Sequence, residues 1–166
     1  MPNFLFSKDP KGKEEAARLQ VRDILSLERT VFSAPVNSKK KALEMIADTV
    51  ALTVPSLRKH DIFDGLIARE RLGSTAVGHG VALPHCRLRT EEVIGCFILL
   101  KEGIDFDAQD GEPVDLLFAL LVPLDADKSH LDLLALLAEI FRKEDFRSML
   151  RKASSREELF QRLIHA

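Results

Sequence analysis

The sequence has no tryptophan and no tyrosine, and its 10 phenylalanines are scattered along 166 residues. A platform of aromatic rings for stacking nucleic-acid bases is therefore not expected. Charge of one sign is missing too: 24 Lys and Arg against 26 Asp and Glu leave −2 with the histidines neutral. A general nucleic-acid binder needs a basic excess, so nucleic acid is not an expected partner. Cysteine is scarce, and Cys86 and Cys96 fit neither a disulfide framework nor the C-x-x-C spacing of structural zinc. Long apolar runs are also lacking. The longest, Leu116–Pro123 and Leu133–Ala138, fall well short of the ~20 residues of a membrane helix. The N-terminus carries no apolar run of a secretory signal. These absences predict a reduced, cytoplasmic protein without membrane insertion.

What is present fits a globular α/β protein. Apolar residues make up 46% and charged residues 30% of the chain, enough to build a core without staples. Residues 1–18, with Lys8-Asp9-Pro10-Lys11-Gly12-Lys13-Glu14-Glu15, predict a loosely ordered N-terminal extension ahead of one domain over 19–166.

Helical spacing of Ala42, Leu43, Ile46, Val50 and Val54 behind Ser38 predicts a helix stopped by Pro55. A second helix is expected from a Ser56 cap to about Arg71, with Leu57, Phe63, Leu66 and Ile67 inward and Gly73 beyond its end. Between Ala76 and His85 the period drops to two, as in a strand. Val93–Leu100 and Val114–Val122 read as strands joined through a turn at Asp110-Gly111, the second nearly continuously apolar. Ser129 is expected to cap a helix to about Arg142 that buries Leu133, Leu136, Leu137 and Ile140. Ser155-Arg156-Glu157-Glu158 reads as a capping box opening a last helix. Helices before, between and after the strands predict a single-domain α/β sandwich with a mixed sheet flanked by helices.

The chemistry concentrates between Arg69 and Arg87, where Gly73, Gly78, Gly80, His79 and a Pro84-His85 step fall together. The stretch is neither a P-loop nor a G-x-G-x-x-G fingerprint. A neutral imidazole is a good nucleophile near pH 7. A phosphoryl group on it needs cationic or hydrogen-bonding partners, and Arg69 and Arg87 are candidates. His130, expected at the first position of its helix, would be kept neutral there by the helix dipole and free to donate. The same residue types also fit plain strand and surface histidines, and Ser74 and Thr75 fit either phosphate donors or a turn cap. On residue types alone both readings stand.

The order of pieces adds a resemblance. Ala68-Arg69-Glu70, Leu72-Gly73-Ser74-Thr75, Gly78-His79-Gly80-Val81-Ala82-Leu83-Pro84-His85, the strand Val114–Pro123 and His130-Leu131 resemble the mannitol/fructose-type IIA proteins of the bacterial phosphotransferase system. Ser38-Lys39-Lys40-Lys41-Ala42-Leu43 is most similar to their nitrogen-regulatory branch. The resemblance spans roughly residues 19–165. It implies an EIIA type-2 domain, a phosphotransferase component that carries phosphate through phosphohistidine more than a free-standing enzyme. It makes His85 the phosphoryl acceptor on Nε2, Arg69 a contact of the phosphoryl group and His130 a neighbour of the acceptor. Ser74, Thr75 and His79 are secondary candidates for phosphoryl binding. Cys86 stands where a glycine is more usual. No cofactor or metal is implied. The implied donor is a phosphorylated HPr-like protein (NPr), and the implied partners are regulatory targets such as potassium transporters or sensor kinases. The alternative within the family is a sugar-uptake component passing phosphate to a IIB domain. Two readings from other classes are weaker. A metal site on His79, His85, His130 and Cys86 has no ligand spacing and sits beside arginines. A serine hydrolase on Ser74 and His85 lacks the G-x-S-x-G context.

Overall fold

Strand β6 (Val114–Pro123) is buried along almost its whole length, which its run of Leu, Phe and Val anticipates. It sits inside a six-stranded sheet. The computed structural model describes residues 19–166, so the expected extension over 1–18 lies outside the described residues. In chain order the described elements are α1 (Val21–Ile24), a 3-10 turn (Leu27–Arg29), β1 (Thr30–Ala34), α2 (Lys39–Thr53) and α3 (Lys59–Arg71). Then follow β2 (Ala76–Gly78), β3 (Val81–Ala82), β4 (His85–Leu88), β5 (Ile94–Ile104), β6, α4 (Lys128–Phe141), α5 (Glu144–Arg151) and α6 (Arg156–Ile164). β5 and β6 are antiparallel, with Phe97 opposite Phe118. The strand order is β1-β5-β6-β3-β2, with β4 also paired to β6. β1 runs parallel to β5, and β3 and β4 run parallel to β6, whereas β2 is antiparallel to β3, so the sheet is mixed.

Alternation along β6 divides the interior. Leu117, Ala119 and Leu121 face α2 and α3 together with Ala42, Leu43, Ile46, Val50, Ile62 and Leu66. Leu116, Phe118 and Leu120 face the other way, onto Leu133, Leu137, Phe141, Leu150, Leu159 and Leu163 of α4, α5 and α6. On that side Phe141 stacks on Phe97 at 6.0 Å between ring centroids and meets Phe146 edge-on at 5.4 Å. Each fully buried Leu or Phe contributes about 1.5–3 kcal/mol relative to exposure.

Several boundaries differ from the sequence expectations. α2 is capped as expected, the Ser38 hydroxyl accepting from the Lys41 N–H at 3.2 Å. Ser56 does not cap α3. The Leu57 N–H closes a turn on the Val54 carbonyl after Pro55, and the helix begins at Lys59 with Arg58 as its uncapped N-terminal neighbour. Its buried line is Ile62, Leu66 and Glu70, whereas Phe63 and Ile67 are only partly covered. The segment expected as one strand from Ala76 to His85 is three pieces. Gly78, His79 and Gly80 all have positive φ (96°, 56° and 80°) and reverse the chain, pairing β2 with β3 as a hairpin. Pro84 then separates β3 from β4, and both lie on β6, one beyond the other. α4 starts at Lys128 behind an Asp127 cap, not behind Ser129. Leu136, expected inward, is 36% exposed, and its place in the core goes to Phe141. α1, β1 and α5 were not anticipated. The Ser155 hydroxyl accepts from the Glu158 N–H, but the returning half of the box goes one residue earlier, with Ser154 donating to the Glu158 carboxylate. Among the described residues no helix is long and apolar enough to cross a membrane.

Candidate active site

β4 begins at His85, directly after Pro84, and pairs His85 with Leu120 and Arg87 with Val122 on β6. Period-two alternation therefore puts His85 and Arg87 on one face and Cys86 on the other. The His85 ring is held at both nitrogens. Nδ1 lies 2.8 Å from the Leu83 carbonyl, which can only accept, so Nδ1 carries the hydrogen. Nε2 then holds a lone pair, and the Arg69 Nε–H donates to it at 3.3 Å. Burial of the half-buried ring pushes its pKa below the ordinary 6.5, and the Arg69 cation pushes the same way. The bond to Leu83 and the Glu70 carboxylate oppose this, without reversing it. The result is a neutral imidazole of fixed tautomer with its lone pair beside a guanidinium.

Arg69 comes from the last turn of α3 and is steadied by a second bond, Nη1–H to the Gly73 carbonyl at 2.8 Å. His130 is the third residue of α4, not the first, because Asp127 is the cap. Its Nδ1 accepts from the Asp127 backbone N–H at 3.1 Å, which places the ring hydrogen on Nε2 as a donor. The Asp127 carboxylate, 3.3 Å from the same nitrogen, is itself engaged by the Ser129 N–H and hydroxyl. Arg69, His85, Arg87 and His130 all line one cleft of about 510 Å³. Its mouth is apolar: Leu72 is 84% and Leu131 59% exposed.

Ser74, Thr75 and His79 lie outside that cleft and have other partners. The Ser74 hydroxyl donates to the Phe106 carbonyl at 2.6 Å and accepts from the Ala76 N–H. Thr75 donates from its backbone and hydroxyl to the buried Glu70 carboxylate at 2.9 and 2.7 Å, and Lys39 completes that cluster at 2.9 Å. His79 occupies the β2–β3 turn, its N–H donating to Asp110 and its carbonyl accepting from Arg151. These three residues shape the turns around the site instead of entering it. Glu70, next to Arg69, is the member that sequence reasoning passed over; only its place inside Ala68-Arg69-Glu70 marked it.

Cys86 points toward α3, where Gly65 leaves it room: a Cβ on Gly65 would stand 2.9 Å from the Cys86 sulfur. Burial pushes the Cys86 thiol up to about 12, so it is protonated and weakly nucleophilic at neutral pH. Among the described residues no group of three or more His, Cys, Asp or Glu is arranged to hold a metal ion. A larger cleft, of about 750 Å³, lies near Leu124 and Arg89. Its half-buried Arg29 is committed to the Gly95 and Ile24 carbonyls, so the histidine cleft is where the chemistry converges.

The sequence profile of the family described as "Phosphoenolpyruvate-dependent sugar phosphotransferase system, EIIA 2" matches residues 23–166. The chain belongs to that family. It is 44% identical over 147 residues to the nitrogen regulatory protein of Pseudomonas aeruginosa, covering 88% of this chain and 96% of that one. To the nitrogen regulatory protein of Escherichia coli K12 it is 43% identical over 145 residues, 86% and 88% of the two chains. The crystal structure of nitrogen regulatory protein IIA-Ntr from Neisseria meningitidis matches with a TM-score of 0.79 and 40% identity, covering 85% and 97%. The open mixed sheet flanked by helices is that protein's fold.

Proposed function

We propose that this chain is a histidine phosphocarrier of a nitrogen-related phosphotransferase system, working in the cytoplasm through its EIIA type-2 domain. His85 is the acceptor, Arg69 and His130 bind the arriving phosphoryl group, and a phosphorylated HPr-like protein (NPr) is the donor. The observation that carries this reading is the His85 ring, neutral and fixed with Nδ1–H on Leu83 and the Nε2 lone pair beside Arg69. The His85 Nε2 lone pair attacks phosphorus, the P–N bond to the donor histidine breaks, and that histidine recovers its electron pair. The His85 proton stays on Nδ1. Leu83 stabilises the charge the ring gains in the transition state. The Arg69 Nε–H passes from the ring nitrogen to a phosphoryl oxygen, and the Nε2–H of His130 supplies a second donor. Ser74, Thr75 and His79 serve at one remove, by holding the turns that place Arg69 and β4. Transfer between two histidines needs no cofactor.

The exposed Leu72 and Leu131 form the dry centre of a docking surface that the donor and regulatory targets share, with charges at its edge. Phosphorylation adds about −1.5 to −2 charges at the middle of that surface. Targets presenting carboxylates are then repelled and those presenting arginines favoured. A regulatory role is in line with relatives named as nitrogen regulatory proteins, and potassium transporters and sensor kinases are the expected kind of target. The test is incubation with phosphoenolpyruvate, enzyme I and the HPr-like protein of the same organism, then pull-downs with both forms and with His85→Ala. Label on wild type only, with targets that distinguish the two forms, is expected. Equal binding of all forms would refute the regulatory role and leave phosphate delivery to a IIB domain as the better reading.

A further inference from the structure

β4 carries a second cation into the cleft, and its contacts are not those of a phosphate ligand. Arg87 Nη1 donates to the Leu124 carbonyl at 3.0 Å and to the Ala126 carbonyl at 2.9 Å. Both carbonyls belong to the short link between β6 and α4. That link is otherwise held by one turn bond, from the Ala126 N–H to the Pro123 carbonyl. The next residue, Asp127, caps α4, and its backbone N–H is the group that donates to His130 Nδ1 at 3.1 Å. A continuous series of contacts thus runs from Arg87 through the 124–126 link and the Asp127 N–H to the His130 ring.

We infer that Arg87 is a positioning residue that sets the orientation and tautomer of His130 across the cleft from His85. The inference rests on the proposed phosphoryl transfer for its functional consequence, but its structural part stands alone. His85 and Arg87 are two residues apart on one face of one strand, and that strand pairs with β6 in regular register from His85 to Leu88. The acceptor and the clip that places its partner histidine are therefore parts of one rigid element. Without the clip, the 124–126 carbonyls turn to water, the Asp127 N–H loses its fixed direction, and His130 exchanges between tautomers. Only one tautomer presents Nε2–H. Outer partners that orient metal-ligating histidines are typically worth about 10–100-fold in affinity or activity, and the lower end of that range sets the scale for His130. Arg87 is exposed, so its loss leaves the apolar core untouched.

Two measurements on Arg87→Ala, His130→Ala and the double variant test this. The first is the 15N spectrum of the His130 ring in the unphosphorylated protein. Wild type should show one tautomer, with hydrogen on Nε2, and Arg87→Ala a mixture, while His85 shifts stay in place. The same spectra report whether each variant is folded. The second is the rate of phosphoryl transfer from the HPr-like donor. Arg87→Ala should slow transfer about tenfold in the wild-type background and by less than about twofold when His130 is already alanine, because residues acting through one another are non-additive. An unchanged His130 tautomer in Arg87→Ala overturns the inference. So does an equal cost of Arg87→Ala with and without His130, which would mean that Arg87 touches the phosphoryl group itself. If wild type takes up no phosphate at all, the phosphocarrier reading fails, and the tautomer measurement still decides the role of Arg87.

Discussion

Removing Arg69 separates two effects that act in opposite directions on the acceptor. Its Nε–H faces His85 Nε2 at 3.3 Å and its Nη1–H is tied to the Gly73 carbonyl at 2.8 Å. The guanidinium helps hold the His85 pKa below 6.5, with burial the larger cause. Arg69→Ala should therefore raise that pKa toward its ordinary value and make the ring a slightly stronger base. Basicity alone would then predict faster attack. The charge-assisted donor to the transferred group disappears at the same time, and loss of one such donor costs about 10²–10³ in rate, or about 2.7–4 kcal/mol. Tenfold in rate is about 1.4 kcal/mol, so a small gain in basicity cannot offset this loss. Arg69→Lys keeps a charge but not the fork that reaches Gly73 and the ring together, so it should fall between the two. Rapid-quench transfer from the phosphorylated donor gives the rates, and an NMR titration of His85 in the same variants gives the pKa. Wild-type rates in both variants would refute the reasoning, and so would a lower His85 pKa in Arg69→Ala.

The titration of wild-type His85 should have its midpoint below 6.5. Because the folded pKa is depressed, the unfolded chain binds the proton more readily, so this group's contribution to stability is complete above pH 6.5 and is lost as pH falls through the folded pKa. Chemical denaturation at a series of pH values reads that slope. Gly65→Ala should destabilise the fold by about 1–3 kcal/mol, because the new methyl overpacks the Cys86 sulfur. Cys86→Ala in the same chain should restore most of the loss, and a thermal melt without rescue would show that the clash lies elsewhere. Glu70→Ala leaves the Thr75 N–H and hydroxyl buried without acceptors and removes one carboxylate from Lys39. A loss of about 3 kcal/mol in urea denaturation is expected; a change below 0.5 kcal/mol, on the order of an ordinary surface substitution, would mean that the turn rests on other contacts.

Much of this architecture was legible where one periodicity ran long enough. α2 was readable because a serine cap, a helical stripe and Pro55 agree, and β6 because few other elements keep seven apolar residues in a row. Reading failed where tertiary contacts override local signals. Ser56 has the chemistry of a cap, but the turn closed by Leu57 uses its position otherwise. Asp127 and Ser129 are both good caps, and only the backbone geometry selects Asp127 and so moves His130 to the third position of α4. β1 is five residues long with a register shift, and its Ser33 adopts positive φ, so no period-two pattern survives in the sequence. At the site, the family resemblance singled out Arg69, His85 and His130, three of the side chains that line the cleft. Residue type alone put Ser74, Thr75, His79 and Arg87 on the same footing. Their separate partners exist only once the β2–β3 turn and the β6–α4 link are folded, and no spacing in the chain encodes them.

The central claim is that His85 accepts a phosphoryl group on Nε2 while Nδ1 keeps its hydrogen on Leu83. The direct measurement is a phosphorus-coupled 15N spectrum of the protein, labelled at histidine and phosphorylated through its HPr-like donor, recorded beside His85→Ala. One new phosphorus coupling on His85 Nε2, a protonated Nδ1 in the same ring and no coupling in His85→Ala are the predicted result. Phosphate on Nδ1 of His85, on His79 or His130, or surviving the loss of His85 would contradict the account.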